Sequence, residues 1–399
     1  MTDTTPTISK NIVIFTSCTE YWGGSEYLWA QTAELLAQKG YKIHVFKLAV
    51  DRTNPQIKKL IELGCELTDL NDYLPSLSRR VWNRFLTYHA KRTLPHYQKR
   101  FIAKRVKSLR PALFIISQGV NYDALPYVEH CRLTRIPYVI ISQKAIEYSY
   151  PIDWTRKIAK KIWKNSSGNY FTCQNNIEIT QRQFGIKMDN AEVMQNPISI
   201  KIDEPLPWDF PEDDVFRIAC PGRYYLLDKG QDLLLAVLAQ DKWRARNIEL
   251  SFYGKGANEK ALRDLVNYFD LKNVHFKGHV PDVRSIWKEN QALILPSRNE
   301  GLPLVTIEAM MCGRVPIVTD VGGHTDIIED NVTGFIAESA NEKSVDEVLE
   351  RAWQRRNEWE KIGTIAAREI RKVTADDPVR DFAEKLETLI AKSQVQIPE

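Results

Sequence analysis

A chain of 399 residues, 43% hydrophobic and 10% aromatic, exceeds one comfortable core and predicts two domains of about 150 to 200 residues each. No apolar run approaches the roughly 18 to 20 residues of a bilayer span, and MTDTTPTISKNIVIFTS has no basic n-region before an apolar h-region, so a cytoplasmic protein is expected. The net charge of +4 divides into opposite halves: residues 1–198 carry 28 Lys+Arg against 16 Asp+Glu, net +12, and residues 199–399 carry 27 against 35, net −8.

In chain order, apolar strands are expected at Asn11–Ser17, Tyr41–Leu48, Ala112–Ser117, Pro137–Ser142 and Asn169–Cys173, separated by helical stretches. Two basic tracts fall between them. Residues 79–110 hold eleven basic side chains and no acid, interleaved with Trp82, Phe85, Leu86, Phe101 and Ile102, and TRKIAKKIWKN at 155–165 repeats the pattern. Such tracts suit helices lying on an anionic membrane, apolar faces dipping in while Lys and Arg meet phosphates, or else a solvated face over ordinary core contacts. Nucleic acid is not expected, because no recognised motif accompanies the charge. NPISIKIDEPLPWDFPEDD, 196–214, has four prolines, six acids and no lasting period, and reads as a linker. The second half repeats the strand–helix alternation, with strands at Phe216–Pro221, Ile248–Tyr253, Val274–Lys277, Gln291–Leu295 and Val315–Thr319. The expected fold is α/β, two Rossmann-like doubly wound parallel-sheet domains. The expected divisions are an N-terminal domain over 1–198, a linker over 199–215, a C-terminal domain over 216–375, and a C-terminal helix in 376–399 packing back across the junction. Six scattered cysteines without CxxC spacing predict free thiols and no zinc site.

In open α/β sheets, ligands sit beyond the carboxyl ends of strands, where helix N-termini offer unpaired N–H groups to anions. After the strand at 291–295 comes PSRNEGLPLVTIEAM, in which Glu300 precedes the helix that Leu304 begins and Glu308 lies about one turn inside it. Two carboxylates around a helix N-terminus make a cradle for hydroxyls and a diphosphate in a row. The repulsion between acid and diphosphate calls for cations, and GRYYLLDKGQD supplies Arg223 and Lys229 after the first strand of this half.

These residues resemble the retaining glycosyltransferases of family 4, glycosyltransferase group 1, which have the GT-B fold of two such domains facing across a cleft. The E-x7-E motif and the segment after it match EGLPLVTIEAMMCGRVPIVTDVGG, 300–323; the diphosphate motif G-R-x5-K-G matches 222–230; and FYGKGAN, 252–258, fits with Gly254 and Gly256. The match covers most of residues 216–337. In the first half it is looser, resting on SCTEYWGGSEYLWAQ, where Gly23 and Gly24 would let the backbone approach a phosphate or sugar. The resemblance implies that Glu300 bonds the donor sugar and Glu308 the nucleotide ribose. Gly301, Leu302, Pro303, Leu304 and Val305 would form the donor loop, and Arg223 and Lys229 would neutralise the leaving diphosphate. Glu300, Arg223 and Lys229 are then the catalytic set. No enzymic nucleophile, metal or cofactor is expected; the nucleotide-diphosphate sugar is a co-substrate, and the acceptor is a glycan or a lipid-linked molecule.

Many members of this family have histidines at the ends of the fourth and fifth strands. Here the comparable places read IISQG and IISQK, which substitutes Gln118 and Gln143 and makes positioning of a hydroxyl the expected role. His279 and His324 lie in loops on the donor side, as structural residues or minor contacts. A Rossmann dehydrogenase would want G-x-G-x-x-G after the first strand, where this chain has SCTEYWGGSE. A non-catalytic sugar- or lipid-binding relative and a GT-B nucleotide-sugar epimerase or phosphorylase are the other readings. The E-x7-E context suits transfer, of a hexose-type sugar in cell-surface polysaccharide or glycolipid synthesis.

Overall fold

The computed structural model describes residues 9–19, 22–72, 96–198, 200, 202–211 and 213–395. The chain forms two compact units. One comprises residues 1–172, 177–197 and 376–399, the other residues 173–176 and 198–375.

Among the described residues the first unit holds a seven-stranded parallel sheet, in the order β3-β2-β1-β4-β5-β6-β7. Its strands are β1 Asn11–Thr16, β2 Lys42–Lys47, β3 Glu66–Asp69, β4 Leu113–Val120, β5 Tyr138–Lys144, β6 Gly168–Phe171 and β7 Ala191–Val193. The second unit holds six parallel strands in the order β10-β9-β8-β11-β12-β13: β8 Phe216–Pro221, β9 Ile248–Tyr253, β10 Val274–Gly278, β11 Ala292–Leu295, β12 Val315–Thr319 and β13 Phe335–Ala337. Both sheets are doubly wound. In each, the strand order reverses beside the first strand of the unit, between β1 and β4 and between β8 and β11, which opens a crevice at the carboxyl ends.

The central strands are continuous apolar runs because helices cover both of their faces. Ile12, Ile14 and Val45 face one layer, and Val13, Phe15 and Phe46 the other. The strands that sequence patterning did not show are β3, β7 and β13. Each is three or four residues long and outermost in its sheet, and β3 and β7 are partly exposed, so none presents a long apolar run.

Two expectations are corrected. First, β4 and β5 run two or three residues further than the apolar pattern suggested, which places Gln118 and Gln143 inside strands rather than in the loops beyond them. Second, the apolar faces of the basic helices are not available to a membrane. In the helix His96–Leu109, Ile102 and Val106 are buried in the unit's core, as are Ala159, Ile162 and Trp163 in the helix Asp153–Asn165. The remainder of the first tract, including Arg79, Arg80 and Arg84, lies outside the described residues.

The C-terminal helix Pro378–Val395 belongs to the first unit. Its Phe382, Ala383, Leu386 and Ile390 are buried among Ile12, Leu28, Trp29 and Ile141, and Phe382 meets Tyr170 edge-on with ring centroids 5.0 Å apart. The first unit's core thus includes residues from the far end of the sequence. Phe382→Ala should destabilise this unit by about 3–5 kcal/mol through the cavity it leaves. Urea unfolding followed by tryptophan fluorescence checks this, and an unchanged curve would contradict the packing.

Candidate functional site

The second unit brings Lys229 and Glu300 together. Lys229 closes the short helix Leu226–Lys229 after β8, while Glu300 lies in the loop between β11 and the helix Leu304–Met311. These are the two loops at the reversal of strand order. Lys229 Nζ donates to Glu300 Oε1 at 2.7 Å, and Ser297 Oγ donates to the same oxygen at 2.7 Å. Glu300 is 8% exposed. Burial pushes its carboxyl up, but the Lys229 ammonium and the two hydrogen bonds outweigh this and hold it below the ordinary carboxylate range. The stability contributed by this ionised pair is therefore present above the unfolded-state value and is lost as pH falls through the lower folded one. Both hydrogen bonds arrive at Oε1, which leaves Oε2 with acceptor capacity for a ligand hydroxyl.

His324 forms the floor behind the pair. It is wholly buried, with Nδ1 2.8 Å from the Thr319 carbonyl and Nε2 3.2 Å from Thr306 Oγ1. A carbonyl only accepts, so Nδ1 carries the proton. Burial depresses the imidazole below its ordinary value, Glu300 partly opposing, and the neutral ring accepts from Thr306 through Nε2.

What aligns the two loops is a second set of contacts. The Arg298 guanidinium forks onto Asp232 at 2.8 and 2.7 Å and donates to the Leu226 carbonyl at 2.7 Å. The backbone N–H groups of Arg298 and Asn299 both donate to the Asp228 carbonyl, at 2.7 and 3.2 Å. These bonds fix the β11 loop on residues 226–232 and so set the reach from Lys229 to Glu300. No local motif pairs Arg298 with Asp232, and sequence reading missed this clamp along with Ser297.

The remaining expected donor-side residues take varied positions. Arg223 is exposed in the β8 loop, its carbonyl held by Gln231 Nε2 at 3.0 Å. Gly301, Leu302 and Pro303 lead into the helix Leu304–Met311, where Leu304 and Val305 open the first turn and Glu308 is buried at 5% exposure. Gly254 and Gly256 act through close packing. A Cβ on Gly254 would lie 2.0 Å from the Gly222 carbonyl oxygen, and one on Gly256 2.5 Å from that of Tyr224, so their bareness lets the β9 loop brace the β8 loop. Gly322, at φ +61°, does the same beneath Gly301, whose carbonyl oxygen a Cβ would meet at 2.1 Å. His279 is exposed just after β10.

In the first unit, Gly23 and Gly24 stand between β1 and the helix Tyr27–Gln38. Beneath them lies a pair that sequence reading missed. Glu26 accepts from Thr16 Oγ1 at 2.9 Å and meets Lys47 Nζ at 2.9 Å, with both side chains buried. Lys47 also donates to the Cys18 carbonyl at 3.2 Å, which ties the glycine loop to β2. Gln118 is wholly buried, donating to Ser142 Oγ at 2.8 Å and accepting from the Ala124 N–H at 3.3 Å. Its amide is committed to the core, and the hydroxyl contact expected of it is not presented. Gln143 is 8% exposed and exchanges amide hydrogen bonds with Asn196, the shorter at 2.7 Å. At the reversal between β1 and β4, Asp123 accepts from Ser17 Oγ at 2.7 Å, and burial raises its carboxyl.

Residues 209–369 match the family described as glycosyl transferases group 1. A glycogen synthase of Pseudomonas syringae pv. syringae is 31% identical over 127 residues, which is 32% of this chain and 26% of that protein. Granule-bound starch synthase 1 of Arabidopsis thaliana is 29% identical over 177 residues, 43% of this chain and 26% of that one. The matched stretch is thus about a quarter of the length of either relative. Among solved structures, HepE of Anabaena in complex with UDP aligns over 95% of this chain and all of its own, with TM-score 0.70 at 15% identity. Sucrose-phosphate synthase from Thermosynechococcus elongatus aligns over 96% and 100%, with TM-score 0.70 at 16% identity. These likenesses establish the fold, two Rossmann-like parallel-sheet domains of GT-B type. The likeness to the glycosyl transferases group 1 family lies in residues 209–369, which hold both Lys229 and Glu300.

Proposed function

We propose that the chain is a retaining, metal-independent glycosyltransferase that moves a hexose-type sugar from a nucleotide-diphosphate donor to an acceptor hydroxyl. The observation that carries this reading is the Lys229–Glu300 pair at the carboxyl ends of β8 and β11, 2.7 Å apart. An ammonium has three donors and Glu300 takes one, so Lys229 has two left for diphosphate oxygens. Arg223, exposed in the same loop, adds a fork for the second phosphate. Glu300, held ionised, accepts from a donor sugar hydroxyl through Oε2, while Glu308 serves the ribose. The first-turn amides of the helix Leu304–Met311 face the developing negative charge. The leaving phosphate takes the acceptor proton as the new bond forms on the face it departs, so Glu300 binds and orients without acting as a nucleophile. HepE of Anabaena was solved with UDP-glucose, which makes UDP-sugars the first donors to try.

The acceptor is a glycan or lipid-linked molecule of cell-surface polysaccharide or glycolipid synthesis, received by the first unit at its β1 and β4 loops. The +12 charge of residues 1–198, which the net −3 of residues 376–399 in the same unit only partly offsets, draws that unit to an anionic membrane surface, on the cytoplasmic side.

Glu300→Gln should stay folded by circular dichroism, with a melting temperature lowered by loss of the ion pair, and its transfer should fall about 10²–10³-fold, the scale of losing one charge-stabilising contact. Near-normal turnover would remove Glu300 from the reaction. Transfer should also persist in EDTA, because cationic side chains take the place of a metal; an enzyme revived only by magnesium or manganese would contradict that reading.

A further inference from the structure

Twelve large hydrophobic side chains are exposed among the described residues, and four of them fall within seven positions of the first unit: Tyr148 at 66%, Tyr150 at 61%, Ile152 at 72% and Trp154 at 70%. Their backbone is firmly held. Buried Gln183 donates through Nε2 to the carbonyls of Ile146 at 2.6 Å and Ser149 at 3.2 Å, and its own oxygen accepts from Asn121 Nδ2 at 2.9 Å. Tyr122 and Ser149 share a hydroxyl hydrogen bond of 2.6 Å. The apolar side chains are thus presented outward by a braced loop.

The helix that follows, Asp153–Asn165, extends this surface. At 100° per residue, Trp154, Lys157, Lys161 and Lys164 fall within about 80° of one another, on the side opposite Ala159 and Trp163. Tryptophan at one end of a row of three outward lysines is the amphipathic arrangement that suits a bilayer interface, where aromatic rings sit at headgroup level. The adjacent acids are compensated: Asp153 pairs with Arg156 at 3.1 Å and Glu147 with Arg182 at 2.9 Å.

We propose that residues 148–154 and the lysine face of the following helix form a bilayer-docking surface. Tyr150, Ile152 and Trp154 enter the boundary between headgroups and acyl chains, and Lys157, Lys161 and Lys164 meet the phosphates of anionic lipids. This rests on the membrane reading above and deepens it, replacing the core-facing apolar residues of the basic helices with a loop whose apolar side chains are exposed.

Flotation with vesicles of phosphatidylcholine, alone or mixed with phosphatidylserine, tests the surface at low and moderate salt. Wild type should float with the mixed vesicles and lose binding as salt rises. The triple variants Tyr150→Ser/Ile152→Ser/Trp154→Ser and Lys157→Gln/Lys161→Gln/Lys164→Gln should each bind at least about tenfold more weakly. Both should keep wild-type melting temperature and nucleoside-diphosphate binding. Lipids brominated high on the acyl chain should quench wild type more than Trp154→Phe. If wild type floats and the serine triple floats equally well, this surface is wrong while membrane association stands. If wild type ignores mixed vesicles even at low salt, both fail. A wild-type dimer in gel filtration that the serine triple converts to a monomer would assign the patch to a second copy of the chain and overturn the proposal.

Discussion

A buried carboxylate needs a cation, and much of the candidate site follows from how this chain supplies one to Glu300. Stripping an ionised group of water costs several kcal/mol even in a relaxed protein interior. Lys229 and Ser297 offset that cost by converging on one oxygen. The result is a carboxylate that stays charged without water and keeps an acceptor oxygen for a ligand. Removal of Lys229 would leave the buried Glu300 carboxylate without its cation, so binding chemistry and local stability share the same contact.

The pair depends in turn on sheet topology. Because β8 and β11 are neighbours whose connections depart in opposite directions, their two loops meet with no crossing helix between them. Topology alone leaves the loops free to differ by an ångström or more, and the Arg298 clamp removes that freedom. The glycines at 254, 256 and 322 complete the fit by letting neighbouring loops come to backbone contact. The first unit meets the same problem differently. There a buried Glu26–Lys47 pair fixes the loop after β1, and Gln118 is spent on the core.

Much of this was legible in the sequence, and what was not has a physical reason. β8, β9 and β12 have the limits that patterning gives, because their apolar residues outweigh the interruptions at Arg217, Glu249 and Ser251 and glycine follows β8 and β9 directly. Glu300 and Lys229 stand out because two carboxylates around a helix N-terminus call for a cation to hold a diphosphate, and because both lie in segments that resemble the family's motifs. The Arg298–Asp232 fork could not be read, since its partners are 66 positions apart and each looks like ordinary surface charge. Gln118 was misplaced because a polar side chain in an apolar run resembles a strand end, when it was an interior residue satisfied by Ser142 and Ala124. The basic helices misled for a related reason. Amphipathic periodicity shows that an apolar face exists but not what covers it, and here the core does.

In the proposed reaction Lys229 holds the diphosphate of a sugar nucleotide, and Glu300 holds Lys229 in place while it accepts from a hydroxyl of the sugar. Calorimetric titration of wild type and Lys229→Met with UDP, GDP and ADP tests the hold on the diphosphate most directly. At least one nucleotide should bind wild type, and Lys229→Met should weaken that binding by about tenfold or more, the worth of one charge-assisted hydrogen bond. Equal affinity in the folded variant, or no binding of any of the three to wild type, would contradict it.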